Sequence, residues 1–194
     1  MSLQIKREGF GQVEPNHLSA QRTGQIYAQL PAKSTISVLE NGQFAKYDYE
    51  HNEVNFTGAG EFMLVYNEVK LYNGWRETYK DFAMQSKNYT PGSSTITHYG
   101  VGPFPGQMVP RLFKTNVGDI FTTNCIKVGN TSGSVEVAGE TLAVGDKLVV
   151  NSGGYLEKAT IVNNTLPAGM VWNVVKETTT PDGKQPAVKI QRIQ

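Results

Sequence analysis

A short motif occurs twice in the C-terminal half of the chain. Residues 116–124 are Asn-Val-Gly-Asp-Ile-Phe-Thr-Thr-Asn, and residues 143–151 are Ala-Val-Gly-Asp-Lys-Leu-Val-Val-Asn. In each copy a Gly-Asp turn precedes a short β-prone run that ends at Asn, a pattern typical of a small antiparallel β-barrel or sandwich. The motif therefore predicts a rigid set of short strands, and neither copy resembles a reaction centre.

Composition supports a β-rich chain and narrows the classes of partner. Charged residues are 18% of the 194 residues, below the usual share of about 25%, whereas 20 residues are glycine. The formal net charge is +1, so the chain lacks the basic field that attracts a phosphate backbone, and we expect no nucleic-acid partner. No apolar run approaches the ~18 residues of a membrane-spanning helix, and the N-terminus lacks the apolar stretch of a signal peptide. We therefore expect no membrane association and synthesis in the cytoplasm.

The pattern along the chain predicts two small antiparallel β modules that follow an arm. Residues 1–30 are polar and predict an extended N-terminal arm, with a disordered tail as the alternative. Residues 31–108 predict a β-rich domain, in which Asn41-Gly42 signals a two-residue hairpin turn. Residues 109–194 predict a small β-barrel or sandwich module whose last two strands form a hairpin, so that the C-terminus is held in a sheet.

The strands of the C-terminal module are predicted from short apolar or β-branched runs between turn residues. They are 120–123, 126–128, 135–137, 147–150, 155–158, 170–176 and 187–193.

A single amphipathic helix is predicted in the N-terminal domain, at about residues 74–87. Asn73 is a suitable N-cap, and Trp75, Tyr79 and Phe82 recur on one face at helical spacing. An aromatic stripe of this kind is more often core packing than a platform for a ligand. The segment that follows is so rich in Gly and Pro that we place the domain boundary there, near residue 108.

The residues that could carry chemistry do not form a recognisable constellation. Cys125 is the only cysteine, which excludes an internal disulfide and a thiolate zinc site. The histidines lie far apart in sequence, without a companion at the spacing of metal ligands or of a catalytic triad: His17, His51 and His98. We predict no catalytic residue, no metal site and no cofactor, and therefore no enzyme. A hydrolase whose two carboxylates meet only in space is the remaining enzymatic alternative.

The C-terminal module resembles those of structural proteins of tailed bacteriophages. The resemblance rests on the paired Val-Gly-Asp turns, on residues 148–157 (Leu-Val-Val-Asn-Ser-Gly-Gly-Tyr-Leu-Glu) and on the closing hairpin that ends with 187–193 (Ala-Val-Lys-Ile-Gln-Arg-Ile). In particular, the chain is similar to capsid decoration, cement or head-fibre-base proteins, which stud the outside of a capsid.

The resemblance implies a function by binding. Many copies, often as homotrimers, would bind the major capsid protein on the outer surface of the shell, and the protein would be located in the virion. The partner-binding residues are expected among apolar side chains of the arm and of the Gly/Pro-rich segment: Phe10, Tyr27, Tyr99, Phe104 and Met108. The alternative is a receptor- or glycan-binding module of a phage tail or fibre, in which Trp75 and Tyr72 stack on sugar rings.

Overall fold

The computed structural model describes residues 2–7, 10–18, 28–67, 83–86, 108–127, 137–162, 165–180, 183 and 185–194. In these ranges the chain forms short strands in several antiparallel sheets, none of which closes into a barrel, and no α-helix. The strands are short because turns that contain Gly, Asn or Asp interrupt the chain every few residues. The predicted mainly-β, sandwich-like fold class is confirmed.

The strands are numbered in chain order. Those before residue 90 are β1 Leu3–Arg7, β2 Val13–His17, β3 Val38–Glu40, β4 Phe44–Asp48, β5 Glu53–Asn55, β6 Met63–Val65 and β7 Ala83–Gln85. Those after it are β8 Leu112–Phe113, β9 Ile120–Thr123, β10 Val137–Leu142, β11 Lys147–Val150, β12 Leu156–Lys158, β13 Val171–Thr179 and β14 Pro186–Arg192.

The largest sheet has six strands in the order β12-β11-β13-β14-β9-β2, and each neighbouring pair is antiparallel. Its centre is the β13–β14 hairpin, which confirms the predicted closing hairpin and holds the end of the chain in the sheet. The strands that flank this hairpin, β11 and β9, are those of the two motif copies, with the predicted bounds. The sheet is therefore arranged with approximate two-fold symmetry about its central hairpin.

Both copies of the motif form the same turn. The N–H of the turn glycine donates to the neighbouring strand of the central hairpin, at 2.9 Å for Gly118 and 2.8 Å for Gly145. The aspartate carboxylate accepts the N–H of the residue three positions earlier, at 2.9 Å for both Asp119 and Asp146. Both glycines have a positive φ, +97° and +95°, as the third position of a type II turn requires. The turns therefore fix where β9 and β11 begin.

The same turn occurs a third time, where the sequence predicts a hairpin at Asn41-Gly42. Gly42 has a φ of +95°, and its N–H donates to the carbonyl of Val65 at 2.9 Å. The side-chain oxygen of Gln43 accepts the N–H of Glu40 at 2.6 Å, as the aspartates do in the other copies. A two-residue type I′ loop also requires a positive φ at Asn41, which the structure does not have. The hairpin prediction is wrong: β3 pairs with β7, and β4 pairs with β5 and β6.

Four of the remaining strands form a second sheet, and the other four form two-stranded ribbons. The second sheet has the order β5-β4-β6-β8, and the ribbons are β3–β7 and β1–β10. The second sheet covers an apolar cluster of its own: Ala32, Ile36, Leu39, Ala45, Tyr47, Val54, Val65, Met108 and Leu112. The larger cluster lies against the six-stranded sheet: Ile5, Leu18, Phe44, Leu64, Phe121, Ile126, Leu142, Leu148, Leu156, Trp172, Val174, Val188 and Ile190.

The larger cluster crosses the boundary that the sequence predicts near residue 108. The ring centre of Phe44 lies 5.7 Å from that of Trp172 and 6.3 Å from that of Phe121. Phe121 and Trp172 meet edge to face at 5.0 Å. Because buried aromatic rings supply much of the apolar burial of a small domain, Phe44 is part of the core of the C-terminal module. The segments 31–108 and 109–194, which the sequence pattern separates, thus contribute side chains to the same apolar cluster.

The described residues of the predicted arm, 1–30, belong to the sheets of the chain itself. β1 pairs with β10, and β2 pairs with β9 at the edge of the six-stranded sheet. Ile5 and Leu18 are buried in the larger cluster. The prediction of an extended arm is therefore corrected. Residues of this polar segment form strands, and their backbone groups pair with strands more than a hundred residues away. A local pattern does not carry that information.

The predicted helix at 74–87 is wrong at its C-terminal end. Residues 83–85 form β7, which pairs with β3. The rest of the predicted helix, including Trp75, lies outside the described residues apart from Ser86. At Ala83 the backbone pairing with Glu40 overrides the local helical spacing, since tertiary context outweighs intrinsic propensity.

Candidate functional site

The structure tests two of the residues that were predicted to contact a partner. Met108 is 3% exposed and belongs to the smaller apolar cluster, where its carbonyl accepts the N–H of Ala32 at 2.7 Å. This corrects the prediction for Met108, whose side chain is part of the core. Phe10 is half-buried, so part of its side chain is accessible. Five predicted site residues lie outside the described residues: Tyr27, Tyr72, Trp75, Tyr99 and Phe104.

An open groove lies between the β4–β5 hairpin and the segment 57–61. Its volume is about 560 Å³, and its lining combines aromatic, acidic and basic side chains with a stretch of small residues. Tyr49, in the hairpin loop, is 61% exposed and is the most accessible aromatic side chain there. Its ring centre lies 5.8 Å from that of the buried Tyr47, whose hydroxyl donates to the carbonyl of Ala28 at 2.7 Å. The ring of Tyr47 therefore packs against the Tyr49 ring on the side that faces the protein interior.

The polar end of the groove is built on Asp48. This carboxylate accepts the N–H of His51 at 3.2 Å, lies 3.0 Å from Nδ1 of the same residue, and accepts the side-chain amide of Asn55 at 2.9 Å. The hydrogen bond and charge of Asp48 raise the pKa of His51. The hydrogen bonds from the ring and N–H of His51 lower the pKa of Asp48. Asp48 and His51 are therefore both charged over a wider pH range than they would be without each other.

A second carboxylate continues this network along β5. Glu53 accepts the amide of Asn55 at 3.1 Å and pairs with Lys33 at 3.2 Å. The hydrogen bond from Asn55 and the charge of Lys33 lower the pKa of Glu53, although desolvation opposes them. The amide oxygen of Asn55 accepts the backbone N–H groups of residues 57 and 58, at 3.0 and 2.7 Å. The network thus fixes the shape of both loops that border the groove.

The Asp48–His51 pair is not part of a nucleophile-activating triad within the described residues. An aspartate–histidine pair activates a nucleophile only when a hydroxyl or thiol lies within hydrogen-bond reach of the imidazole. No hydroxyl or thiol of the described residues hydrogen-bonds to His51. Over the same ranges of the chain, no three His, Cys, Asp or Glu side chains are grouped so that they could hold a metal ion. The prediction that the chain is not an enzyme stays a prediction.

A buried carboxylate joins the two halves of the chain. Glu40 is 5% exposed, and its two oxygens accept the N–H of Gly11 at 2.6 Å and the hydroxyl of Tyr155 at 2.5 Å. Close by, the side-chain amide of Gln43 donates to the carbonyl of Gly153 at 3.1 Å. Sequence reasoning missed this junction, because a glutamate beside an Asn-Gly turn gives no sign that it is buried.

Both Val-Gly-Asp turns carry a solvent-exposed valine. Val117 is 68% exposed and Val144 is 61% exposed, and the glycine that follows each has no neighbour within 4 Å of a Cβ placed on it. Ile161 and Val162, in the loop after β12, are 46% and 62% exposed. In the part of the chain that the structure describes, the large exposed apolar side chains are these four and Tyr49. Apart from Tyr49, they all lie in the C-terminal module.

Comparison with known proteins gives no match to the chain among family models, curated proteins or solved structures. Within the residues described above, no helix has the length and apolar character that crossing a bilayer requires.

Proposed function

We propose that the chain is a structural protein of a bacteriophage particle, which binds the outer surface of the capsid shell as a homo-oligomer and decorates or stabilises it through protein–protein contacts. The observation that carries this proposal is the pair of rigid turns that expose Val117 and Val144. The sequence resemblance to decoration proteins rests in part on these same turns. Burial of exposed apolar side chains is the main favourable term in protein association.

The third copy of the turn supports a docking role for the other two. At Gly42, a Cβ would lie 2.7 Å from Cβ of Cys125 and 2.7 Å from Cγ2 of Val13. This turn is therefore packed against the other half of the chain. The turns at Gly118 and Gly145 have the same backbone and no such neighbour. They present the surface that the third copy buries inside the molecule.

The test is binding of the purified chain to purified shells of the phage that encodes it, measured by co-sedimentation. The double variant Val117→Asp/Val144→Asp should lose binding, because an interface that covers these positions would bury two charges without partners. Its fold should persist, since the second position of a type II turn accepts most residues. Thr35→Asp, an exposed turn position in the other half of the chain, is the matched control and should bind like wild type.

Two results would count against the proposal. One is a wild-type chain that fails to co-sediment with shells, and the other is a double variant that binds as wild type does. Deletion of residues 1–25 is a poor test, because it removes β1 and β2 from the sheets and would unfold the chain. The alternative function, a glycan- or receptor-binding module that uses Trp75 and Tyr72, stays a prediction, since both residues lie outside the described ranges.

A further inference from the structure

The groove beside Tyr49 combines three features that a sugar site needs. The first is an accessible aromatic ring, since Tyr49 is 61% exposed while the buried Tyr47 ring fixes it from one side at 5.8 Å. The second is space: about 560 Å³ lies within the usual 300–1,000 Å³ of small-molecule sites. The third is a pair of polar groups in the same loop as the ring, Glu50 and His51, of which His51 is held by Asp48 at 3.0 Å.

The polar groups keep unused hydrogen-bonding capacity on the groove side. Asp48 holds Nδ1 of His51, so that Nε2 of this imidazole is left for a ligand. Glu50 lines the groove and makes no ion pair among the described residues. Asp48, which supports His51, is itself held by the amide of Asn55, and Asn55 is fixed by the backbone N–H groups of residues 57 and 58. A ligand would therefore meet an imidazole that is already oriented, which lowers the entropic cost of binding.

Charge at the groove is largely balanced. Asp48 pairs with His51, Glu53 with Lys33 at 3.2 Å, and Glu61 with Arg192 at 2.7 Å. Two further cations lie at this border of the groove, since Lys114 also pairs with Glu61 at 3.5 Å and Lys46 donates to the carbonyl of Gly58 at 3.0 Å, while Glu50 is an acidic lining group outside these pairs. A site whose charges are nearly balanced gives little attraction to a cationic peptide or to an acidic sugar. A neutral ligand with hydroxyl groups and an apolar ring face fits these conditions best.

We infer that this groove binds a pyranose ring of a neutral or N-acetylated oligosaccharide, with the ring stacked on Tyr49 and its hydroxyl groups hydrogen-bonded to Glu50 and His51. This site is distinct from the turns that carry Val117 and Val144, and it goes beyond the proposed attachment to a shell. Stacking supplies affinity because the face of the Tyr49 ring and the C–H face of the pyranose are both apolar. The carboxylate of Glu50 and the imidazole of His51 select the orientation of the sugar hydroxyl groups.

The test is an NMR titration of the full chain, labelled with ¹⁵N. Maltotriose and the trimer of N-acetylglucosamine are the neutral probes, and they distinguish plain hexoses from N-acetylated ones. Trigalacturonic acid is the acidic probe, and trilysine is the cationic peptide. At least one neutral probe should shift amide signals in 47–51 and 57–61, with a dissociation constant of roughly millimolar order, as expected for an open groove. Neither charged probe should do so.

Two substitutions at the aromatic position make the test specific. Tyr49→Ala should weaken binding of the neutral probe about tenfold, because it removes the stacking surface, whereas Tyr49→Phe should keep it within about twofold. Both variants should fold, since this side chain is mostly exposed, and Val162→Ala, at a similarly exposed position outside the groove, serves as the control. The inference is overturned if no neutral probe binds, if the shifts fall outside the groove, if Tyr49→Ala binds like wild type, or if trilysine or the acidic probe binds more tightly.

Discussion

Gly154 shows how the absence of one side chain lets two parts of the chain meet. Its φ is +79°, a Cβ there would overlap the carbonyl oxygen of Phe44, and its own carbonyl accepts the N–H of Phe44 at 2.7 Å. We expect Gly154→Ala to lower the free energy of unfolding by about 3 kcal/mol or more, because it adds a backbone clash to the strain of a positive φ. Urea denaturation measures this difference.

Gly169→Ala is the matched control for this prediction. Gly169 also has a positive φ, +93°, but nothing lies within 4 Å of a Cβ placed there. Strain alone should cost about 1–2 kcal/mol at this position. Equal losses for the two variants would mean that the close approach of Gly154 to Phe44 does not contribute to stability.

The Asp48–His51 pair predicts a pH-dependent stability. Because the pKa of His51 is raised on folding, its contribution is complete below the ordinary value of 6.5 and is lost as the pH rises through the raised pKa. Because the pKa of Asp48 is lowered, its contribution is complete above the ordinary value of 3.8 and is lost as the pH falls through the lowered pKa. The melting temperature of wild type should exceed that of His51→Gln most between about pH 4 and 6.5, where both groups are charged.

The measurement is a pair of thermal melts at each pH from about 3 to 9. The difference between the two proteins should shrink towards both ends of this range. A difference that does not change with pH would show that the ion pair contributes nothing and that the loop depends on its other hydrogen bonds.

At the scale of elements, the repeated turn precedes β4 in the second sheet and both strands that flank the central hairpin of the six-stranded sheet, β9 and β11. Burial acts to raise the pKa of Asp146, but the ion pair with Lys158 and the N–H of Ala143 outweigh it and lower that pKa. Asp146→Ala should cost about 1 kcal/mol more than Asp146→Asn, because asparagine keeps an oxygen that can accept the N–H of Ala143. The exposed ion pair to Lys158, which both variants lose, should matter little.

Chemical denaturation of the two variants measures this difference, with Gln43 as the natural precedent for an amide at the same position of the turn. If Asp146→Asn and Asp146→Ala lose the same stability, then the side-chain hydrogen bond does not fix the turn, and the glycine alone does.

The sequence predicts those elements whose cause is local. Strands β9 and β11 have the predicted bounds, because each follows a turn that Gly and Asp specify within four residues. The hairpin predicted at Asn41-Gly42 was wrong, because the same dipeptide also fits a type II turn. The strands that flank this turn, β3 and β4, lie in different sheets. The strands of the predicted arm could not be read from sequence, because their partners are more than a hundred residues away.

The candidate site was predictable only in its parts. A sequence can mark an aspartate and a histidine three positions apart as a possible turn pair, as for Asp48 and His51. It does not show that the segment 57–61 returns to border the same groove. The prediction that Met108 contacts a partner was wrong for a related reason: burial depends on which strands cover a residue. Met108 lies shortly before β8, a strand of the second sheet, and packs in the cluster that this sheet covers.

At the scale of the whole molecule, the two halves should unfold together. The C-terminal half takes its edge strand β2 and core residues such as Phe44 and Leu64 from the chain before residue 109. A fragment of residues 109–194 should therefore lack a cooperative thermal transition, whereas the full chain should show one, because the fragment exposes the apolar surface that these residues cover. A fragment with dispersed amide signals and a sharp melt would contradict a shared core.

We propose that the chain functions by attachment in many copies to a capsid shell, a claim that the copy number in purified particles can decide. Quantitative mass spectrometry should find the chain in a fixed, high ratio to the major capsid protein, as symmetric binding to repeated capsomers requires. The chain's absence from the particles, or a handful of copies per particle as at a tail or fibre, would contradict the claim.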